Sequence, residues 1–190
     1  MRHLAHLQVA EVQVFEQTRP QRRERNQQAA HEQSGESADA LEAADGPSGR
    51  FALPRGARVE QDLAYGADPA QRLDVYLPVD ARNAPILLMV HGGAWMLGDK
   101  RHSGVVANKV AHWLPRGYVL VSVNYRMARP PNPLQQAEDV ARAIAFVQSN
   151  APRWQADPAR LLLVGHSSGA HLVGLLAADP ALAASQGAKP

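Results

Sequence analysis

The sequence predicts an α/β fold in which buried strands alternate with crossover helices around a mostly parallel sheet. Three observations lead there. Unbroken apolar runs recur at Ile86-Leu87-Leu88-Met89-Val90, at 118–123 and at Leu161-Leu162-Leu163-Val164, as strands buried on both faces require. Between the last two runs, apolar residues return at helical spacing. Strand and helix patterns then follow one another along the chain, which is the signature of parallel strands joined by crossovers.

Residues 1–50 stand apart. They hold eight acids, six arginines and seven glutamines but one aromatic, Phe15, and no lysine. The stretch from Gln17 to Gly49 has almost no large apolar residue apart from Leu41. It cannot bury enough surface to offset its ordering entropy, so disorder or a non-native leader is expected. Leu4 to Phe15 carry scattered Leu and Val that suit a short amphipathic helix or strand.

From Phe51 onward the elements come in order. Arg72-Leu73-Asp74-Val75-Tyr76-Leu77 alternates polar and apolar and stops at Pro78, which reads as a half-buried strand. The run at 86–90 follows Pro85. Residues 103–114 are the first crossover helix, and 118–123 the next strand. Leu134, Ala137, Val140, Ala141, Ile144 and Val147 line one helical face behind Pro133, a residue that starts helices well. The strand at 161–164 then leads through a glycine turn into an apolar helix, His171 to Ala178.

Composition narrows the function. Apolar residues are 45% and charged residues 20% of 190, which is globular composition. The net charge of +2 and a pI near 9.2 reflect late-titrating arginine rather than a basic face, so nucleic acid is not an expected partner. With no cysteine, disulfides, Cys-ligated zinc and a thiol nucleophile are excluded. No apolar run reaches the roughly 18 residues of a membrane span, and the N-terminus lacks the apolar core of a signal peptide; a cytoplasmic protein is expected. No metal cluster, phosphate loop or cofactor motif occurs, so neither a metal nor a cofactor is expected.

Gly165-His166-Ser167-Ser168-Gly169 fits G-x-S-x-G. Its context gives it weight, because a buried strand runs into it and an apolar helix runs out. Glycines at Gly165 and Gly169 permit a sharp, strained turn, and Ser167 stands at its tip as the candidate nucleophile. The following helix turns its positive end toward the site. The plain alternative is an ordinary glycine-rich loop between strand and helix.

His91-Gly92-Gly93-Ala94-Trp95 follows the strand ending at Val90, and the chain between His91 and Ser167 is long enough for two strand–helix units. Backbone N–H groups on such a loop can approach an oxygen that becomes negative. With the elbow, this loop resembles the α/β-hydrolase carboxylesterases, the branch of hormone-sensitive-lipase-like, feruloyl-esterase-like and arylformamidase-like enzymes. Tyr65-Gly66, Leu73-Asp74-Val75-Tyr76, Gly98-Asp99-Lys100, Asn124-Tyr125-Arg126 and Asp157-Pro158 are similar to the same branch. The resemblance implies an α/β-hydrolase fold over 51–190 and a small ester or amide as substrate. It places the oxyanion donors at the backbone N–H of Gly93, Ala94 and Ser168. His91 would anchor the loop rather than act as base, and Trp95 would wall the acyl pocket. Many relatives have glycine where Ala94 stands; a backbone donor tolerates alanine if φ stays allowed.

In this fold the catalytic order is Ser, then Asp or Glu, then His. The short stretch after Ser167 holds Asp179 as its sole acid and His171, which precedes it, as its sole histidine. The expectation is that 51–190 are the N-terminal portion of a hydrolase domain whose last strands, acid and histidine are missing. The chain itself would then be inactive, and Leu161–Val164 would form an exposed apolar sheet edge. The competing expectation is a non-catalytic fragment or a degenerate binding module of the same fold.

Overall fold

The computed structural model describes residues 51–189. The leader expected over 1–50 lies outside the described residues.

The chain enters with a strand, β1 (Arg58–Ala64), that pairs antiparallel with β2 (Arg72–Leu77). β3 (Ala84–Val90) leads to helix α1 (Ser103–Trp113), and β4 (Val119–Val123) leads to α2 (Pro133–Asn150). β5 (Ala156–Gly165) leads to α3 (Ser168–Ala178), followed by the short α4 (Pro180–Ser185). Among the described residues these five strands form one sheet in the order β1-β2-β4-β3-β5. Antiparallel pairs join β1 to β2 and β2 to β4, and parallel pairs join β4 to β3 and β3 to β5. Four strands therefore point one way and β2 alone runs against them.

Both faces of the sheet are covered, which is why β3 and β4 carry apolar residues without alternation. Ile86, Leu88 and Val90 of β3 pack with Val140, Ile144 and Val147 of α2 and Leu172 of α3. Leu87 and Met89, pointing the other way, meet Val106 and Val110 of α1. The Asn132 side chain caps α2 by accepting from the Gln135 N–H at 3.2 Å, and Pro133 occupies the first turn. Such a cap contributes about 1 kcal/mol.

Four elements depart from expectation. β2, read as half-buried, is buried from Leu73 to Leu77, Asp74 included, because both faces of the sheet are covered there. β1 is a strand that hydrophobic pattern does not announce. β5 begins at Ala156, so Asp157-Pro158 lies inside the strand rather than ahead of it. The chain also continues past α3 into α4, which Asp179 caps through the N–H groups of Ala181 and Leu182. As the apolar run suggests, β5 is the edge strand among the described residues, and Leu161 to Gly165 are only half-buried.

Candidate active site

The parallel ladder between β3 and β5 ends on the pair Val90 and Gly165. The His91 and His166 loops therefore leave the sheet side by side. The His166 N–H donates to the Val90 carbonyl at 3.1 Å, closing the gap. This close seating needs glycine. A Cβ on Gly169 would lie 2.3 Å from the Val90 oxygen and 2.5 Å from the His91 oxygen, and one on Gly165 would lie 2.5 Å from Ala170 Cα.

Ser167 is exposed and holds φ 51° and ψ −120°. That conformation costs an L-residue about 1–3 kcal/mol and persists only where the surroundings enforce it. Here α3 enforces it. Its first turn is closed by Gly169 N–H to the His166 carbonyl at 2.8 Å, and by Ala170 and His171 N–H groups to the Ser167 carbonyl at 2.9 and 3.2 Å. The positive end of α3 thus lies directly behind Ser167.

The opposing loop stands against the elbow. A Cβ on Gly92 would come within 2.8 Å of the His166 carbonyl oxygen and 3.0 Å of Ser167 Cβ. Gly93, Ala94 and Trp95 all have positive φ, at 132°, 52° and 61°. Ala94 is therefore in the left-handed region, which costs an L-residue about 1–2 kcal/mol, so alanine at this position is not a neutral departure from glycine. The Gly93 carbonyl closes the turn by accepting from Met96 and Leu97 at 3.1 and 2.9 Å. Among the described residues, the N–H groups of Gly93, Ala94 and Ser168 make no hydrogen bond to the protein.

His91 is buried at 1% exposure. Its Nδ1 lies 2.8 Å from the Gly92 carbonyl, which makes Nδ1 the protonated nitrogen, and Nε2 is buried without a partner. Burial holds the imidazole below its usual 6.5, so the ring is neutral. Its face stacks on Tyr125 at 4.6 Å, and the Tyr125 hydroxyl donates to the His91 carbonyl at 2.9 Å. Burial in turn pushes the Tyr125 hydroxyl up. Trp95 is half-buried and meets the exposed His171 ring edge-on at 5.4 Å. Among the described residues neither His166 nor His171 bonds a carboxylate through its ring, and neither ring bonds Ser167.

Farther along the loop, a charged cluster fixes Gly98-Asp99-Lys100. Lys100 Nζ is 2.8 Å from Asp62 and 2.9 Å from the fully buried Asp74, and Arg101 bonds both acids. Hydrogen bonds from Lys100 and then Arg101 hold the Asp62 carboxyl below the usual range. Burial would raise Asp99, but the Asn124 amide and the Arg101 N–H donate to it and bring it down. Asn124 also accepts from the Lys100 N–H at 2.6 Å, while Ser122 Oγ donates to the Lys100 carbonyl at 2.8 Å.

Two buried side chains of α2 were not singled out from sequence. Gln136 Nε2 donates to the Trp95 carbonyl at 2.7 Å and to the Arg126 carbonyl at 3.0 Å. Asp139 accepts from the Arg126 N–H, Nε and Nη2 and from Gln71 Nε2. The available signal was their place beside Ala137, Val140 and Ala143, as polar residues three apart on the apolar face of a helix.

A cavity of about 260 Å³ lies at the other end of the sheet, between Arg58, Val79, Asp80, Arg82, Trp154 and Gln155, away from Ser167. Among the described residues no group of three His, Asp or Glu could hold a metal ion, and no helix is long and apolar enough to cross a membrane.

Comparison with known proteins bears on the fold and the family. Residues 73–184 match the BD-FAE family. The chain is 34% identical over 116 residues to a probable isoprenylcysteine alpha-carbonyl methylesterase, ICMEL1 of Oryza sativa subsp. japonica, covering 60% of this chain and 27% of that protein. It is 36% identical over 124 residues to esterase LipC of Mycobacterium tuberculosis, covering 62% of this chain and 30% of that one. The chain thus spans under a third of the length of these curated relatives. Esterase B from Lactobacillus Rhamnosis superposes with a TM-score of 0.61 at 26% identity, over 88% of this chain and 51% of that structure. The strand order, the elbow and these matches together make the chain a member of the BD-FAE family of α/β-hydrolase carboxylesterases.

Proposed function

We propose that the protein is a serine carboxylic-ester hydrolase that works through an acyl-enzyme on Ser167. The observation that carries this reading is the exposed Ser167 in a strained turn, facing a loop with unpartnered N–H groups. Ser167 Oγ attacks the ester carbonyl carbon and loses its proton to a general base. The alkoxide leaves with that proton, and water then attacks the acyl-enzyme and releases the acid. The N–H groups of Gly93, Ala94 and Ser168 receive the developing oxyanion, and removing one such donor costs about 10²–10³-fold in kcat. His91 stays neutral and anchors the loop, and Trp95 walls the acyl side with His171 against it.

The described residues bring no base into contact with Ser167. His171, whose N–H bonds the Ser167 carbonyl, turns its ring to Trp95 instead. We therefore propose that residues 51–189 by themselves retain at most the roughly 10³–10⁴-fold catalysis that binding and an oxyanion hole give without a working triad. A short chromogenic ester and a serine-directed fluorophosphonate test both statements, each with Ser167→Ala as control. Slow, Ser167-dependent labelling and weak turnover are expected. Labelling that survives Ser167→Ala would remove the nucleophile assignment, and fast turnover would show that a base is present.

The second reading is a non-catalytic fold member that binds small molecules. The His171 ring, set against Trp95 rather than Ser167, favours it, and it predicts no labelling at Ser167.

A further inference from the structure

We propose that Gln136 is a positioning residue, and that its side-chain amide fixes the oxyanion loop in its strained form. The inference rests on the ester-hydrolysis reading of Ser167.

Gln136 sits in the first turns of α2 and is fully buried. Its amide spends both protons on main-chain carbonyls of two different loops, Trp95 at 2.7 Å and Arg126 at 3.0 Å. Two carbonyl acceptors fix the orientation of the amide, because its oxygen in the same place would face oxygen. The Oε1 atom is buried without a partner. Leaving a polar atom desolvated in this way is unfavourable. Leucine or methionine would avoid that cost but would take these donors from the Trp95 and Arg126 carbonyls.

The placement explains what the amide does. Ala94 and Trp95 are consecutive non-glycine residues with left-handed φ, at 52° and 61°. Without an external tie, this segment relaxes to ordinary negative φ and turns the Ala94 N–H away from the elbow. The turn made by the Gly93 carbonyl closes only over Met96 and Leu97. The Trp95 carbonyl is tied to the rest of the fold by Gln136. One turn along α2, Asp139 holds the Arg126 N–H at 3.0 Å while Gln136 holds the Arg126 carbonyl. Arg126 is thereby held on both sides, and the same helix face grips the oxyanion loop. Helix α2 transmits the rigidity of the core to a loop that otherwise has its own strain to release.

The test uses the full chain with Gln136→Met, which keeps length but has no donor, and Gln136→Leu, which fills the space with a branched apolar side chain and has no donor either. Hydrogen exchange is followed on peptides covering 91–97 and, as reference, 84–90 and 119–123. With both variants, exchange in 91–97 is expected to rise at least tenfold while the two strand peptides stay protected. Hydrolysis of a short ester is expected to lose about 10–100-fold in kcat with KM within threefold, as removal of a transition-state interaction requires. Unchanged exchange in 91–97 would overturn the proposal. So would a rise spread equally over all three peptides, because Gln136 would then be an ordinary core residue. A loop-confined rise in a chain whose parent never acylates at Ser167 would keep the positioning role and refute the hydrolase reading instead.

Discussion

Two glycines of α3 predict opposite responses to the same substitution. Gly169 faces the end of β3, where an added Cβ would lie 2.3 Å from the Val90 oxygen and 2.5 Å from the His91 oxygen. Both colliding atoms are main chain, so no rotamer change relieves them, and α3 must withdraw by about 1 Å to restore ordinary contact. Overpacking of this kind costs about 3 kcal/mol, offset by about 1 kcal/mol from replacing glycine with alanine in a helix. Gly174 is exposed, and an added Cβ there meets nothing within 4 Å, so it shows the helix gain alone. Near 3–4 °C per kcal/mol for a domain of about this size, Gly174→Ala is expected to raise Tm by about 3 °C and Gly169→Ala to lower it by about 7 °C. The withdrawal also displaces Ser167 and the Ser168 N–H, and a misplacement of about 1 Å costs about 10²-fold in reactivity. Thermal unfolding by circular dichroism gives the first quantity, and the rate of fluorophosphonate labelling gives the second. If Gly169→Ala melts and labels like the parent, α3 is not seated on the end of β3 and the elbow geometry is wrong.

Three further outcomes follow from named groups. Ser167→Gly releases a strained φ of 51° and is expected to gain about 1–3 kcal/mol in urea unfolding while losing all labelling. Asp139→Ala strips four hydrogen bonds from Gln71 and Arg126 and leaves a guanidinium without its partner. Its expected loss is about 3–5 kcal/mol, read from the urea midpoint. The third concerns pH. Burial keeps His91 below its usual 6.5, so the unfolded chain takes up the proton first as pH falls. Stability is complete above about pH 6.5 and declines below it, until the folded form protonates as well. The contribution has a slope of at most about 1.4 kcal/mol per pH unit. Unfolding free energies measured between pH 5 and 7 should fall more steeply for the parent than for His91→Asn; equal slopes would remove the buried neutral imidazole.

Strands β3, β4 and the end of β5 were legible because burial on both faces leaves unbroken Ile, Leu and Val. β1 was not, for a local reason. Its residues Arg58 to Ala64 are half-buried or exposed, and a register shift between Glu60 and Leu63, with Asp62 at φ 56°, breaks the alternation that marks a strand. The start of β5 was hidden by Asp157-Pro158, which reads as a turn but lies where an irregularity between Ala84 and Ile86 lets the chain pass. At the site, glycine spacing revealed both loops because close main-chain approach has few solutions. Gln136, Asp139 and the Lys100 cluster act through side chains whose partners lie far away in the chain, and local pattern carries no trace of such meetings. The positive φ of Ala94 was equally invisible, since alanine advertises no turn.

The ladder between β3 and β5 also works as a ruler. Val90 pairs with Gly165, and the next residue on each strand, His91 and His166, begins a loop of the candidate site. These loops come from distant segments of the chain, yet their relative height is set by one strand pairing. A slip of a single residue would move Ser167 by about 3.3 Å along the sheet and turn every side chain of β5 to the opposite face. The close seating of Gly165 on Ala170, and of Gly169 on the Val90 and His91 carbonyls, resists that slip, because any other residue brought to those places would put a Cβ within 2.5 Å of main chain. Residues that never approach a substrate thereby hold the distance between the two loops, and a core substitution in β5 that loosens the register would be felt at the serine before it was felt in the fold.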